Sequence, residues 1–271
     1  MAAVETALAS ARTAGRPSLV TYVTGGIRDD WTDVLAAMTD AGADAVEIGL
    51  PFSDPMLDGP VIQRASAVAI GRGATTAGIF AQLRAARAGG GGGGGRASGV
   101  PLIAMAYANH AWSRGLGRYC RELAAAGFSG TIIPDLPVDE AGSYLTAAAE
   151  ADLDATLMTT PATPDAQLAV IAARSRGFLY VMSVMATTGS ARERDDTSRW
   201  AVAARARRCS PRPVLVGFGI DSPARAAAAV QHADGVIVAS ALMRRVLDGA
   251  TPAQIGRDVA ALRTAIDQAR P

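Results

Sequence analysis

SLVTYVTGGIRDDWTDVLAAMTDAGADAVEIG, residues 18–49, reads as a strand, a turn, a helix and a second strand, in that order. Ser18–Thr24 and Ala43–Gly49 are short and rich in apolar and β-branched residues. Between them Trp31–Ala41 spaces Trp31, Val34, Leu35 and Met38 at helical intervals. The turn after the first strand is Thr24-Gly25-Gly26-Ile27, without the Gly-x-Gly-x-x-Gly of a dinucleotide-binding open sheet. The same unit recurs to the end of the chain. Further strands are expected at Pro101–Tyr107, Gly130–Pro134, Asp154–Met158, Gly177–Ser183, Pro213–Gly217 and Gly235–Ala239. Helices are expected at Gly117–Ala126, Val138–Ala151, Asp165–Arg174 and Pro223–Gln231. Several strands are near-continuous apolar runs (LIAM, TIIP, FLYVM, PVLV, GVIV), as a parallel sheet buried on both faces requires. Eight β/α repeats in 271 residues predict an α/β fold, a TIM (β/α)8 barrel forming one domain over residues 1–271. A doubly wound open sheet is the alternative.

Composition narrows the chemistry. All 26 cationic side chains are arginine, and there is no lysine. A Schiff-base aldolase, a pyridoxal-phosphate enzyme using its own lysine and a GK[ST] phosphate loop are therefore excluded. The formal charge of +1 gives no reason to expect a nucleic-acid partner. Cys120 and Cys209 stand 89 positions apart, and His110 and His232 are the only histidines, so no metal site is indicated. No signal peptide and no run of 18 apolar residues is present, which leads us to expect a cytoplasmic protein without membrane association. Seven glycines at 89–95 begin a flexible insert at 89–99, expected as a connector on the non-catalytic side of the barrel.

Active groups of a barrel sit at the C-terminal ends of its strands. In the second strand, side-chain alternation puts Val46 and Ile48 on one face and Ala45, Glu47 and Gly49 on the other. The bulky pair should meet the helices, so Glu47 should point into the barrel mouth, where burial favours its neutral form. Asp54 and Asp58 follow on a loop stiffened by Pro51, Pro55 and Pro60. Carboxylates converging there would suit general acid/base work without a metal; a salt-bridged Glu47 and turn-forming aspartates are the structural alternative. Two further places stand out. Val214–Ile220 ends a strand in Gly217-Phe218-Gly219, and Gly235–Ser240 ends the next at a serine that could cap a helix, a common barrel phosphate site. The long loop after Tyr180–Ser183 is expected as a lid, or else as a plain surface loop.

The stretch Gly42–Gln63 (GADAVEIGLPFSDPMLDGPVIQ) resembles the signature of the tryptophan synthase alpha subunit family. The likeness continues through Tyr107-Ala108-Asn109, Ile133–Pro137, Gly217–Ile220 and Ser240, and runs from about Ser18 to Leu247. It implies a TIM barrel that splits indole-3-glycerol phosphate into indole and glyceraldehyde 3-phosphate with no cofactor. It also implies a pyridoxal-phosphate-dependent beta subunit as partner. By position, the resemblance makes Glu47 the acid/base at indole C3, Asp58 the acceptor of the indole N–H, and Tyr180 the neighbour of Glu47. Tyr22, Tyr107, Ile132, Thr188 and Phe218 would contact substrate, and Gly189, Gly219, Ala239 and Ser240 would hold its phosphate. The lid departs from the family's usual Ser-Arg-x-Gly-Val-Thr-Gly at Val184 and Ala186. A stand-alone lyase releasing free indole and a repurposed phosphate-binding barrel remain the alternatives.

Overall fold

Eight parallel strands close on themselves in chain order: β1 Ser18–Thr24, β2 Ala45–Gly49, β3 Leu102–Met105, β4 Gly130–Ile132, β5 Asp154–Thr159, β6 Leu179–Met182, β7 Val214–Gly217 and β8 Gly235–Val238. The computed structural model describes residues 3–88, 99–183 and 196–269. The glycine-rich insert, apart from Gly99, and the expected lid beyond Ser183 lie outside them. Helix α1 (Ala3–Thr13) precedes the barrel, and α2 (Trp31–Asp40) follows β1. After β2 come α3 (Pro60–Gly71) and α4 (Thr76–Ala88), and after β3 α5 (Ala108–Arg114) and α6 (Leu116–Ala125). Helices α7 (Gly142–Glu150), α8 (Asp165–Arg174), α9 (Asp196–Cys209) and α10 (Pro223–Val230) follow β4 to β7 in turn. Finally α11 (Ser240–Leu247) and α12 (Pro252–Gln268) follow β8.

Each expected strand forms within a few residues of its sequence bounds. Pairing of β1 with β8, from Ser18 beside Gly235 to Thr21 beside Val238, closes the sheet and rules out the open-sheet alternative. The two-residue period sorts side chains into two cores. Leu19, Val23, Val46, Ile48, Val181, Val216 and Val238 pack outward against the helices. Val20, Ala45, Ile103, Ile132, Tyr180, Leu215 and Ile237 fill the barrel interior. Burial of each such aliphatic side chain contributes about 1.5–3 kcal/mol.

Helix α1 has no counterpart among the expected elements. Its Val4 and Leu8, one turn apart, seat in the interior core against the starts of the strands. Glu5 N–H donates to Asp154 Oδ2 at 2.8 Å, and Arg212 pairs with Glu5 at 3.3 Å. The helix therefore plugs the end of the barrel opposite the catalytic loops. Two apolar residues in an alanine-rich segment give a weak signal until the open end they cover exists. The helix expected at Val138–Ala151 begins only at Gly142. Residues 137–141 are spent on successive tight turns, Glu140 N–H to the Pro137 carbonyl and Ala141 N–H to that of Val138. At the other end of the chain, α12 opens with a reciprocal cap: Thr251 accepts from Gln254 N–H, and Thr251 N–H donates to Gln254 Oε1 at 2.8 Å. Cys120 and Cys209 are both free thiols. Among the described residues no helix is long and apolar enough to cross a membrane.

Candidate active site at the barrel mouth

Glu47 points inward, as its strand parity requires, and is 1% exposed. Its Oε1 has no hydrogen-bond partner among the described residues, and no arginine pairs with it there. Burial alone pushes its pKa up to about 8, so the carboxyl is neutral at pH 7. The salt-bridged alternative is thereby excluded among these residues. Register places Tyr22 beside Glu47 on β1 and Ile103 beside it on β3.

The second carboxylate arrives from the loop after β2. Asp58 accepts a hydrogen bond from the Tyr107 hydroxyl at 3.0 Å, and the same hydroxyl accepts from Leu57 N–H at 3.0 Å. Tyr107 thus grips the loop by its backbone and its acid together. Burial pushes the Asp58 pKa up to about 6, and the Tyr107 hydrogen bond holds it back from rising further. Asp54, by contrast, is exposed and bonded to Ser53, which makes it a turn residue. The Phe52 ring stacks on Tyr107 at 5.2 Å between centroids and meets His110 at 5.3 Å.

Tyr22 and Tyr180 are both buried, and burial together with the field of both carboxylates raises their pKa values far above the ordinary tyrosine range. They remain hydroxyl donors at any working pH. Each needs a glycine on a neighbouring strand. A Cβ at Gly217 would lie 2.3 Å from the Tyr180 hydroxyl, and one at Gly49 would lie 1.8 Å from that of Tyr22. We predict that Gly49→Ala drives Tyr22 from its seat beside Glu47 and destabilises the fold by about 1–3 kcal/mol, read as a lowered thermal midpoint.

Tyr22, Asp58 and Tyr107 line one narrow crevice with Gly49, Phe52 and Met105. Ile132 and Tyr180 belong to the interior core, against which Met105 and Phe218 pack. Phe218 meets Tyr180 edge to face at 6.1 Å. On the opposite side of the mouth, β7 ends in Gly217-Phe218-Gly219 and β8 runs through Ala239 into α11. Ser240 does not cap that helix. Ala239 holds the cap position with no side-chain hydrogen bond, and Ser240 is the first helical residue. The first-turn N–H groups are therefore left for another acceptor. Thr188 and Gly189 lie outside the described residues.

A family model for the tryptophan synthase alpha chain matches residues 8–269. The tryptophan synthase alpha chain of Acidothermus cellulolyticus is 41% identical over 250 residues, covering 92% of this chain and 90% of that one. The chain belongs to the tryptophan synthase alpha chain family. The counterpart from Streptomyces coelicolor is 39% identical over 248 residues, covering 89% of this chain and 86% of its own. Among solved structures, the tryptophan synthase alpha subunit of Legionella pneumophila superposes with a TM-score of 0.87 at 28% identity, covering 99% of both chains. Mycobacterium tuberculosis tryptophan synthase gives 0.85 at 32% identity, over 97% of this chain and 98% of that one.

Within this alpha-chain framework the sequence reading missed several residues of the mouth. Phe52 lies inside the stretch read for its carboxylates, and Met105 and Met158 have inward parity at the ends of β3 and β5. An apolar residue at a strand end carries no chemical signal of its own. Only the closed barrel shows what it lines.

Proposed function

We propose that this chain acts in the cytoplasm as a carbon–carbon lyase, cleaving indole-3-glycerol phosphate to indole and glyceraldehyde 3-phosphate in tryptophan synthesis. The observation that carries this reading is a buried carboxyl, Glu47, whose Oε1 has no hydrogen-bond partner among the described residues, on the strand that leads into the loop of a second carboxyl, Asp58, whose pKa is lower. Two acids with separated pKa values can divide acid and base roles near neutral pH. Neutral Glu47 donates its proton to indole C3, and ionised Asp58 accepts the indole N–H and stabilises the positive charge on the ring. The carbon–carbon bond then breaks as the glycerol hydroxyl proton returns to the Glu47 carboxylate. That step releases the aldehyde and restores the acid, so the proton count closes without a cofactor. Tyr22, Tyr107, Ile132 and Phe218 would enclose the indole, with Tyr180 donating beside Glu47. The N–H groups at Gly219, Ala239 and Ser240 would hold the phosphate by backbone alone, as a chain without lysine must unless it uses arginine.

A beta-subunit partner is part of the same reading. Met56 is 69% exposed on the loop that carries Asp58, and Trp112 is 46% exposed on α5 after β3. A partner docked over this end of the barrel would cover these apolar side chains. The test is steady-state cleavage by the purified chain with and without a pyridoxal-phosphate-dependent tryptophan synthase beta subunit. We expect slow cleavage alone and a strong rise on addition. Fast cleavage alone, with no response to a beta subunit, would instead identify a stand-alone lyase.

A further inference from the structure

The β7 turn contains a strained residue whose purpose lies on the neighbouring strand. Phe218 has φ +66°, and Gly219 follows at +77°. The second is cheap for glycine, but the first is uncommon for an aromatic residue and persists only where its surroundings impose it. The imposing group is Ser183, one residue past β6 and 2% exposed. Its N–H donates to the Gly217 carbonyl at 3.2 Å, and its hydroxyl donates to the Phe218 carbonyl at 2.5 Å. A trans peptide sends its C=O and its N–H in opposite directions. The carbonyl of Phe218 and the N–H of Gly219 belong to one such unit. Tying the oxygen to Ser183 therefore turns the Gly219 N–H away from β6, and that N–H makes no hydrogen bond among the described residues.

We infer that Ser183 is a positioning residue for anion binding: it locks the Phe218–Gly219 peptide so that the Gly219 N–H faces the phosphate of the substrate. The inference rests on the phosphate assignment proposed above and goes beyond it, because Ser183 itself touches no ligand. Without the hydroxyl, the Phe218–Gly219 peptide is free to rotate about its flanking Cα bonds, and the donor is lost from the site.

The experiment titrates inorganic phosphate into 15N-labelled protein and follows the Gly219 amide, alongside the cleavage kinetics. In the wild type the Gly219 resonance should shift on binding. Ser183→Ala should weaken phosphate binding and raise KM about tenfold with a smaller change in kcat, and Ser183→Thr, which keeps a hydroxyl, should restore both. Should Ser183→Ala fold poorly, Ser183→Cys keeps the volume with a weak donor and should show the same loss. Unchanged phosphate affinity in a folded Ala or Cys variant overturns the inference, as does a wild-type Gly219 amide that ignores phosphate. A wild-type chain that binds phosphate at Gly219 but cleaves nothing would refute the lyase reading and leave Ser183's role standing.

Discussion

Glu47→Gln is expected to lower turnover by roughly 10²–10⁴-fold while substrate still binds, because the amide keeps the shape and loses the proton donor. Single-turnover cleavage and substrate binding, measured on the same preparation, check this. Near-normal turnover would remove Glu47 from the mechanism. The wild-type pH profile carries the same signature. With the Glu47 pKa near 8, the donor form disappears as pH rises through that value, so kcat/KM should fall on the alkaline side. The stability consequence has the opposite benefit. A carboxyl whose folded pKa lies above its unfolded value binds its proton more tightly in the native state. Native stability then declines as pH rises from about 4.5 toward about 8 and levels off above that. Glu47→Gln removes this decline. Its thermal midpoint, relative to the wild type, should rise steadily between pH 5 and pH 8, a gain in stability bought with lost catalysis.

Asp58→Asn is expected to cost roughly 10²–10³-fold in kcat, the usual scale for removing one preorganised group aimed at developing charge. The asparagine can still bond Tyr107 but cannot balance a positive indole. In the wild type the acid limb of kcat/KM should rise through pH 6, where Asp58 ionises, and complete a bell with the Glu47 limb near pH 8. In the variant the acid limb should vanish and the alkaline limb remain. An acid limb that survives the substitution would show that some other group controls it.

Much of the site was legible before the fold. The alternation Val46, Glu47, Ile48 assigned Glu47 to the barrel interior because a strand has only two faces, and the bulkier pair must meet the helices. Asp58 could be named only through the resemblance. Nothing local separates it from Asp54, four residues earlier on the same loop, which the structure leaves exposed and paired with Ser53. The difference comes from Tyr107, 49 positions away, whose hydroxyl reaches Asp58 and not Asp54.

The sequence by itself determined the strand count, the inward face of the second strand, the absence of lysine chemistry and the family. Each of these follows from residue identity or from a short-range period, and local chain geometry transmits both. Closure of β1 on β8, the α1 plug, the Tyr107 grip on Asp58 and the Ser183 lock on Phe218 were decided by tertiary structure alone. In each case the partners are tens to hundreds of residues apart. Their meeting depends on where the whole barrel brings strand ends together, and no window of sequence contains that distance.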